Sequence, residues 1–156
     1  MIGNDIVDLN RAAKESNWKR TGYLEKIFTP EEKFLIHTAK DPDILVWLFW
    51  SMKEAAYKAA TDQTKIRSFA PFLLSCSNLV LHPGTATGNI TYDGKLYHSQ
   101  SIITQTYIHT IAATRTKMLN DIKLKIDDYD AADRSYKESN PTSISHHGSF
   151  LALIYL

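Results

Sequence analysis

Apolar positions change their spacing along this chain, and that change predicts its elements. Between Ile44 and Ala60 they recur every three to four residues, and Leu45, Leu48, Met52, Ala55 and Ala59 form one stripe. This is the repeat of a helix buried along one side. The spacing predicts the longest helix of the chain, opening at Asp41-Pro42 or Asp43 and closing near Ala60. A second helix is expected after Phe28, with Thr29 as its cap, Pro30 in its first turn and Glu32 completing a capping box. Ahead of both, Met1 to Leu9 reads as a short strand carrying Ile6, Val7 and Leu9. Asn10 then caps a short helix through Arg11, Ala12, Ala13 and Lys14.

After Thr61 the pattern becomes strand-like. Phe72 to Leu81 is β-like, and Ile90 to Tyr97 reads as a hairpin turning on Asp93-Gly94. Ile102 to Thr114 reads as one further strand, and Ile122, Leu124 and Ile126 alternate with Lys123 and Lys125 as a half-buried one. Asp128 to Ser139 is expected to be a polar surface helix, and Phe150 to Leu156 a closing apolar strand. There is no internal repeat and no linker-like tract. The expected architecture is one α+β domain over residues 1–156, with helices early and an antiparallel sheet late, packed against the long helix.

Composition narrows the partners. At 156 residues with 44% hydrophobic and 22% charged positions, the chain has enough apolar surface for one core and too little length for two, which excludes a disordered chain. A net charge of +1 gives no general attraction to nucleic acid or membrane, so any charged partner must meet a local patch. The single cysteine, Cys76, excludes a disulfide framework and a cysteine zinc site and suits a reducing, cytoplasmic setting. The opening MIGNDIVDL lacks the pattern of a signal peptide. The apolar run Ile44 to Phe49 is far shorter than the roughly 20 residues of a membrane span.

Three segments carry candidate chemistry. Gly3 to Asp8 places Asp5 inside an apolar strand, where a charge is costly without a cation beside it. On the long helix, Trp50, Glu54 and Lys58 stand at i, i+4 and i+8, a stripe apart from the core one. Ser143-Ile144-Ser145-His146-His147-Gly148 leads into the closing strand. Singly, each has a plain structural reading: Asp5 and Asp8 flanking a strand or capping a helix, a surface Glu54–Lys58 pair, a hydrogen-bonded loop histidine.

Taken together and in this order, they resemble the 4'-phosphopantetheinyl transferase superfamily. Gly3-Asn4-Asp5 is similar to its Gly-x-Asp, Trp50 to Lys58 to its Trp-x-x-Lys-Glu-x-x-x-Lys helix, and Ser143 to His146 to its Ser-His motif. The order resembles the single-copy holo-acyl-carrier-protein synthases, while Trp50 is more like the larger two-copy members. The resemblance implies transfer of the phosphopantetheine arm of coenzyme A to a serine of an apo-acyl carrier protein of fatty-acid or polyketide synthesis, releasing 3',5'-ADP. It implies Mg²⁺, or Mn²⁺ with the same hard-oxygen preference, held by Asp5 and Glu54 on the pyrophosphate. It implies Lys58 as a cation for phosphate. Lys53 is a second such candidate, with a structural ion pair as its equal alternative. Ser145 and His146 would donate to coenzyme A phosphates. Arg11 and Lys14, with Lys19 and Arg20 nearby, would dock an acidic carrier. A homotrimer with its site between subunits is also implied, because one short copy would need a neighbour to complete the pocket. The acceptor of the serine proton stays open between Glu54 and a metal-bound water.

The chain departs from the family in places. Asn4 stands where an aliphatic residue is usual. Ala59 to Gln63 replaces a Gly-rich turn, and Asp62 there would oppose phosphate. His109 competes for the Ser-His role without a preceding serine, and no spacing among the six histidines demands zinc. The alternative reading is a non-catalytic relative that binds coenzyme A or a carrier protein.

Overall fold

A computed structural model describes residues 1–62 and 68–156. In chain order it contains β1 (Ile2–Asp8), α1 (Leu9–Glu15), α2 (Tyr23–Ile27), α3 (Pro30–Thr38) and α4 (Pro42–Thr61). There follow β2 (Ser75–His82), β3 (Thr85–Tyr92), β4 (Lys95–Ile103), β5 (Tyr107–Ala113) and α5 (Thr116–Asn120). The chain closes with β6 (Lys123–Asp128), β7 (Ser143–His147) and β8 (Phe150–Tyr155). The fold is α+β. An antiparallel sheet in the order β1-β5-β4-β3-β2 carries α4 on one face, and a three-stranded sheet β6-β8-β7 stands beside β1.

Helix α4 is the centre of the core. All five stripe residues, Leu45, Leu48, Met52, Ala55 and Ala59, are buried, and so are Val46, Phe49, Ala56 and Tyr57. Only the Trp50, Glu54 and Lys58 line of its middle turns reaches partial exposure. The helix lies unusually close to β1. A Cβ on Gly3 would strike the Ala55 carbonyl oxygen and stand 2.5 Å from Ala59 N. The absence of a side chain at position 3 therefore lets β1 touch the helix backbone, and it brings Asp5 under Glu54 and Lys58. Strand β1 is buried at all seven positions, because α4, β5 and the small sheet enclose it.

Several boundaries differ from the sequence pattern, each for a local reason. Asp8, not Asn10, caps α1: its Oδ1 accepts from Arg11 N at 3.1 Å. The stretch from Phe72 begins as a 3-10 turn at Pro71–Leu73, and β2 starts only at Ser75. Ile102 to Thr114 is two strands, because the Thr104 hydroxyl accepts from both Thr106 N and Tyr107 N and bends the chain there. The polar segment after Asp128 is not a helix. Asp130 and Asp133 take the backbone amides of Ala132 and Ser135, leaving a single 3-10 turn at Ser135–Ser139. The Asp93-Gly94 turn is as expected, with both residues at positive φ and Tyr92 paired with Lys95.

The capping box at Thr29 also has a use beyond its helix. Glu32 Oε1 accepts from Thr29 N at 2.9 Å and from Lys53 Nζ at 2.6 Å, while Oε2 accepts from Cys76 N at 2.7 Å. Lys53 Nζ also donates to Ile27 O at 2.7 Å and sits over the Phe28 ring. Lys53 is fully buried. Of the two readings of Lys53, the geometry is that of the structural ion pair and not of a phosphate ligand. The pair ties α3, α4 and β2 together. Among the described residues, no helix is long and apolar enough to cross a membrane.

Removing one member of a buried, fully bonded pair strands the other charge. Lys53→Met is expected to lower stability by about 3–5 kcal/mol, with part recovered on adding Glu32→Gln, read from urea denaturation midpoints. A single variant as stable as the parent counts against a structural role for the pair.

Candidate functional site

One ammonium group joins three elements. Lys58, on α4, donates to Asn4 O at 3.0 Å and Asp5 Oδ1 at 3.2 Å on β1, and to Ser145 Oγ at 3.0 Å on β7. Ser145 Oγ in turn accepts from Ile6 N at 3.0 Å and donates to Asp5 Oδ1 at 3.3 Å. These contacts leave Lys58 33% exposed and Asp5 10% exposed at the side chain. Lys58 is thus a fixed cation whose open side faces the cleft. The Ser145 residue is buried, and its hydroxyl is engaged with β1 and Lys58.

Two hollows flank this group, of about 400 and 810 Å³. Glu54, Lys58, Ser145 and His146 line both, so the two meet along one seam. The smaller contains Asp5 and is walled by Tyr23, Trp47 and Trp50. The larger is bounded by Tyr57, Phe69, Thr142 and, at the end of α4, Asp62. Trp50 meets Phe69 edge-on at 5.5 Å, which holds the aromatic wall in place. Of the Ala59 to Gln63 segment, Gln63 lies outside the described residues. Asp62 is on the larger hollow's rim, where its charge opposes a phosphate.

The two carboxylates differ in how they are met. Burial, then the charge of Asp5, pushes the Glu54 carboxyl up to about 7, with Lys58 opposing the shift. Asp5 Oδ2 is buried and, among the described residues, has no hydrogen-bond partner. A divalent cation with hard-oxygen preference fits this pair, since it relieves the repulsion and takes the orphaned oxygen. No group of three or more His, Cys, Asp or Glu that could hold a metal occurs among the described residues. Asp5 and Glu54 both line the smaller hollow.

The histidines separate by position. His146 is exposed on the seam and stacks on Tyr129, ring centroids 4.1 Å apart and 8° from parallel. Partial burial, then Lys58, lowers its pKa and keeps the imidazole neutral at pH 7. His147 is a structural partner: Nδ1 accepts from Asp8 N at 2.9 Å, which places its proton on Nε2, 3.0 Å from Glu15. His109 is buried behind β1. Burial, then Lys58, lowers it to about 4, so it accepts from Asn4 Nδ2 at 3.1 Å as a neutral ring. This accounts for Asn4. Its side chain also donates to Ala152 O and accepts from Ser143 Oγ, joining β1 to both β8 and β7 where an aliphatic residue could not.

Arg11 and Lys14 lie outside the seam, on a separate hollow with Asp8, Asp128 and Tyr129. Arg11 pairs with Glu15 at 3.3 Å. The sequence reading did not single out Tyr129, Phe69 or Tyr23. Their separation from the motifs along the chain hides them, and an aromatic near a helix gives no signal of the cleft it will wall.

Without metal, Glu54 holds its proton until near pH 7, against an ordinary 4.5. Its contribution to stability is complete below about pH 4.5 and is lost as pH rises through about 7, when a second buried negative charge forms beside Asp5. In EDTA, stability is expected to fall between pH 5 and pH 8 by about 1–3 kcal/mol from this group. Glu54→Gln removes the fall. Identical pH dependence of the two proteins in thermal melts would mean that the carboxylates do not interact.

No curated protein matches the chain. A family model does, and it reaches from β1 with Asp5, through α4 with Glu54 and Lys58, into β5. That model describes the 4'-phosphopantetheinyl transferase superfamily and matches residues 1–112, most of the chain. With its acidic strand and its Glu-Lys helix meeting as the motif order implied, the chain belongs to this superfamily.

Proposed function

We propose that the protein transfers the 4'-phosphopantetheine arm of coenzyme A to a serine of an apo-acyl carrier protein, in the manner of a holo-acyl-carrier-protein synthase. The observation that carries this reading is the meeting of Glu54 and Lys58 on the seam between two hollows, with Asp5 beside them in the smaller one. A diphosphate lying on that seam has room on either side, for a nucleotide and for the arm or the incoming serine. The serine oxygen bonds to the β-phosphorus, the bond from that phosphorus to the bridging oxygen breaks, and 3',5'-ADP leaves with that oxygen. The serine proton is lost to a base in the cleft.

Positioning and charge stabilisation dominate phosphoryl-group chemistry of this kind. Lys58 is pre-oriented by Asn4 O, Asp5 and Ser145, so its charge needs little reorganisation to face a phosphate. Asp5 Oδ2 and the Glu54 carboxylate would hold Mg²⁺, which when bound neutralises diphosphate charge. His146, neutral and backed by Tyr129, presents an N–H to phosphate oxygens at the seam. The aromatic wall of Tyr23, Trp47 and Trp50 limits water on the opposite side. Arg11 and Lys14 are exposed cations beside the site and suit the acidic surface of a carrier protein. A cytoplasmic setting agrees with the one unpaired cysteine.

Incubation with apo-acyl carrier protein, coenzyme A and Mg²⁺ is expected to add one phosphopantetheine to the carrier's mass. Glu54→Ala is expected to lower the rate by about 10²–10³-fold or more with the far-ultraviolet spectrum unchanged, because Glu54 lies off the core stripe. Coenzyme A binding without a mass gain on any of several carriers supports the non-catalytic alternative instead. Full activity in Glu54→Ala removes that residue from the mechanism.

A further inference from the structure

Strand β1 is an edge of the five-stranded sheet, yet its outward amides are not open. Asn4 N donates to Ser143 Oγ at 3.2 Å, Ile6 N to Ser145 Oγ at 3.0 Å, and Asp8 N to His147 Nδ1 at 2.9 Å. Every second amide of β1 thus meets every second side chain of β7, in step along five residues of each strand. Backbone pairing is absent between them: β7 pairs with β8, and β1 with β5. The small sheet is also held by its own core. Ile154 packs with Ile2, Ile111, Ala113 and Leu119, and Ala152 O accepts from Asn4 Nδ2 at 3.2 Å.

This β7 is the second wall of the cleft. Ser145 and His146 line both hollows opposite Glu54 and Lys58, and both lie beyond the residues matched to the superfamily. We infer that the site is completed within one chain. The β6-β8-β7 sheet covers the outward edge of β1 and supplies the second wall of the cleft, and the working unit is a monomer. The inference rests on reading the cleft as the transfer site. Its physical ground is that a neighbour's strand would need the amides of Asn4, Ile6 and Asp8, which β7 already binds, and would have to displace a buried apolar contact. The reason for expecting a trimer, that a single copy lacks a second wall, is thereby removed.

Sedimentation of the full chain, alone and with coenzyme A and Mg²⁺, is expected to give the single-chain mass of 17.7 kDa. An assembly of two or more chains overturns the monomer. The second experiment mixes two variants altered on opposite walls, Glu54→Gln and His146→Ala. With the site in one chain, the mixture transfers at the average of the two separate rates at every ratio. A rate above both parents overturns the inference, since only a site shared between copies could restore one intact set. If the unaltered protein transfers nothing, the proposed function fails while the sedimentation result still decides the assembly.

Discussion

The Lys58 ammonium is the contact on which the remaining arrangement depends. It is a partly buried charge, and such a charge is tolerated only when its donors are used and an opposite charge lies near. Asn4 O, Asp5 Oδ1 and Ser145 Oγ meet both conditions from two strands at once. The same three acceptors fix where α4 sits along β1 and where β7 sits beside it. Gly3 makes this possible from below, because any side chain there would push the helix away from the strand. Structural closure and candidate chemistry thus use one group. Asp5 gives one oxygen to the lysine, and its other oxygen has no hydrogen-bond partner among the described residues.

The way β7 meets β1 decides the shape of the cleft. A backbone ladder would hold two strands about 4.8 Å apart and continue one sheet into the next. Serine and histidine side chains instead span the gap, so the strands stand further apart while the edge amides remain satisfied. Such an edge is also protected against pairing with another chain. The opening between α4 and β7 persists because the second sheet is attached through side chains and a small apolar core, and not through strand pairing.

Two lysines five residues apart on α4 illustrate how burial assigns a role. Lys53 and Lys58 both belong to the family-like motif and both pair with a carboxylate. Lys53 is sealed against Glu32, the Ile27 carbonyl and the Phe28 ring, with no path to the cleft. Lys58 retains a solvent-facing side. Five residues turn a helix by about 140°, so the two point to different neighbours. One secures the core and the other borders the seam.

The amino-acid sequence alone carried everything that depends on local repetition. The α4 stripe, the Thr29–Glu32 capping box, the Asp93-Gly94 hairpin and the Trp50, Glu54, Lys58 line are legible because helix period and turn chemistry act over a few residues. Motif order singled out Asp5 and Glu54, which line one hollow. Strand limits at Thr104 and the missing helix after Asp128 were not legible, since single hydroxyls and carboxylates there outcompete a smooth apolar or polar pattern. What only tertiary structure decided is who stands opposite whom. Glu32 for Lys53, Lys58 for Ser145, and the β7 side chains for the outward amides of β1 are all choices between partners far apart in the chain. Spacing holds no information about them, because the distance that sets a hydrogen bond or ion pair is created by packing.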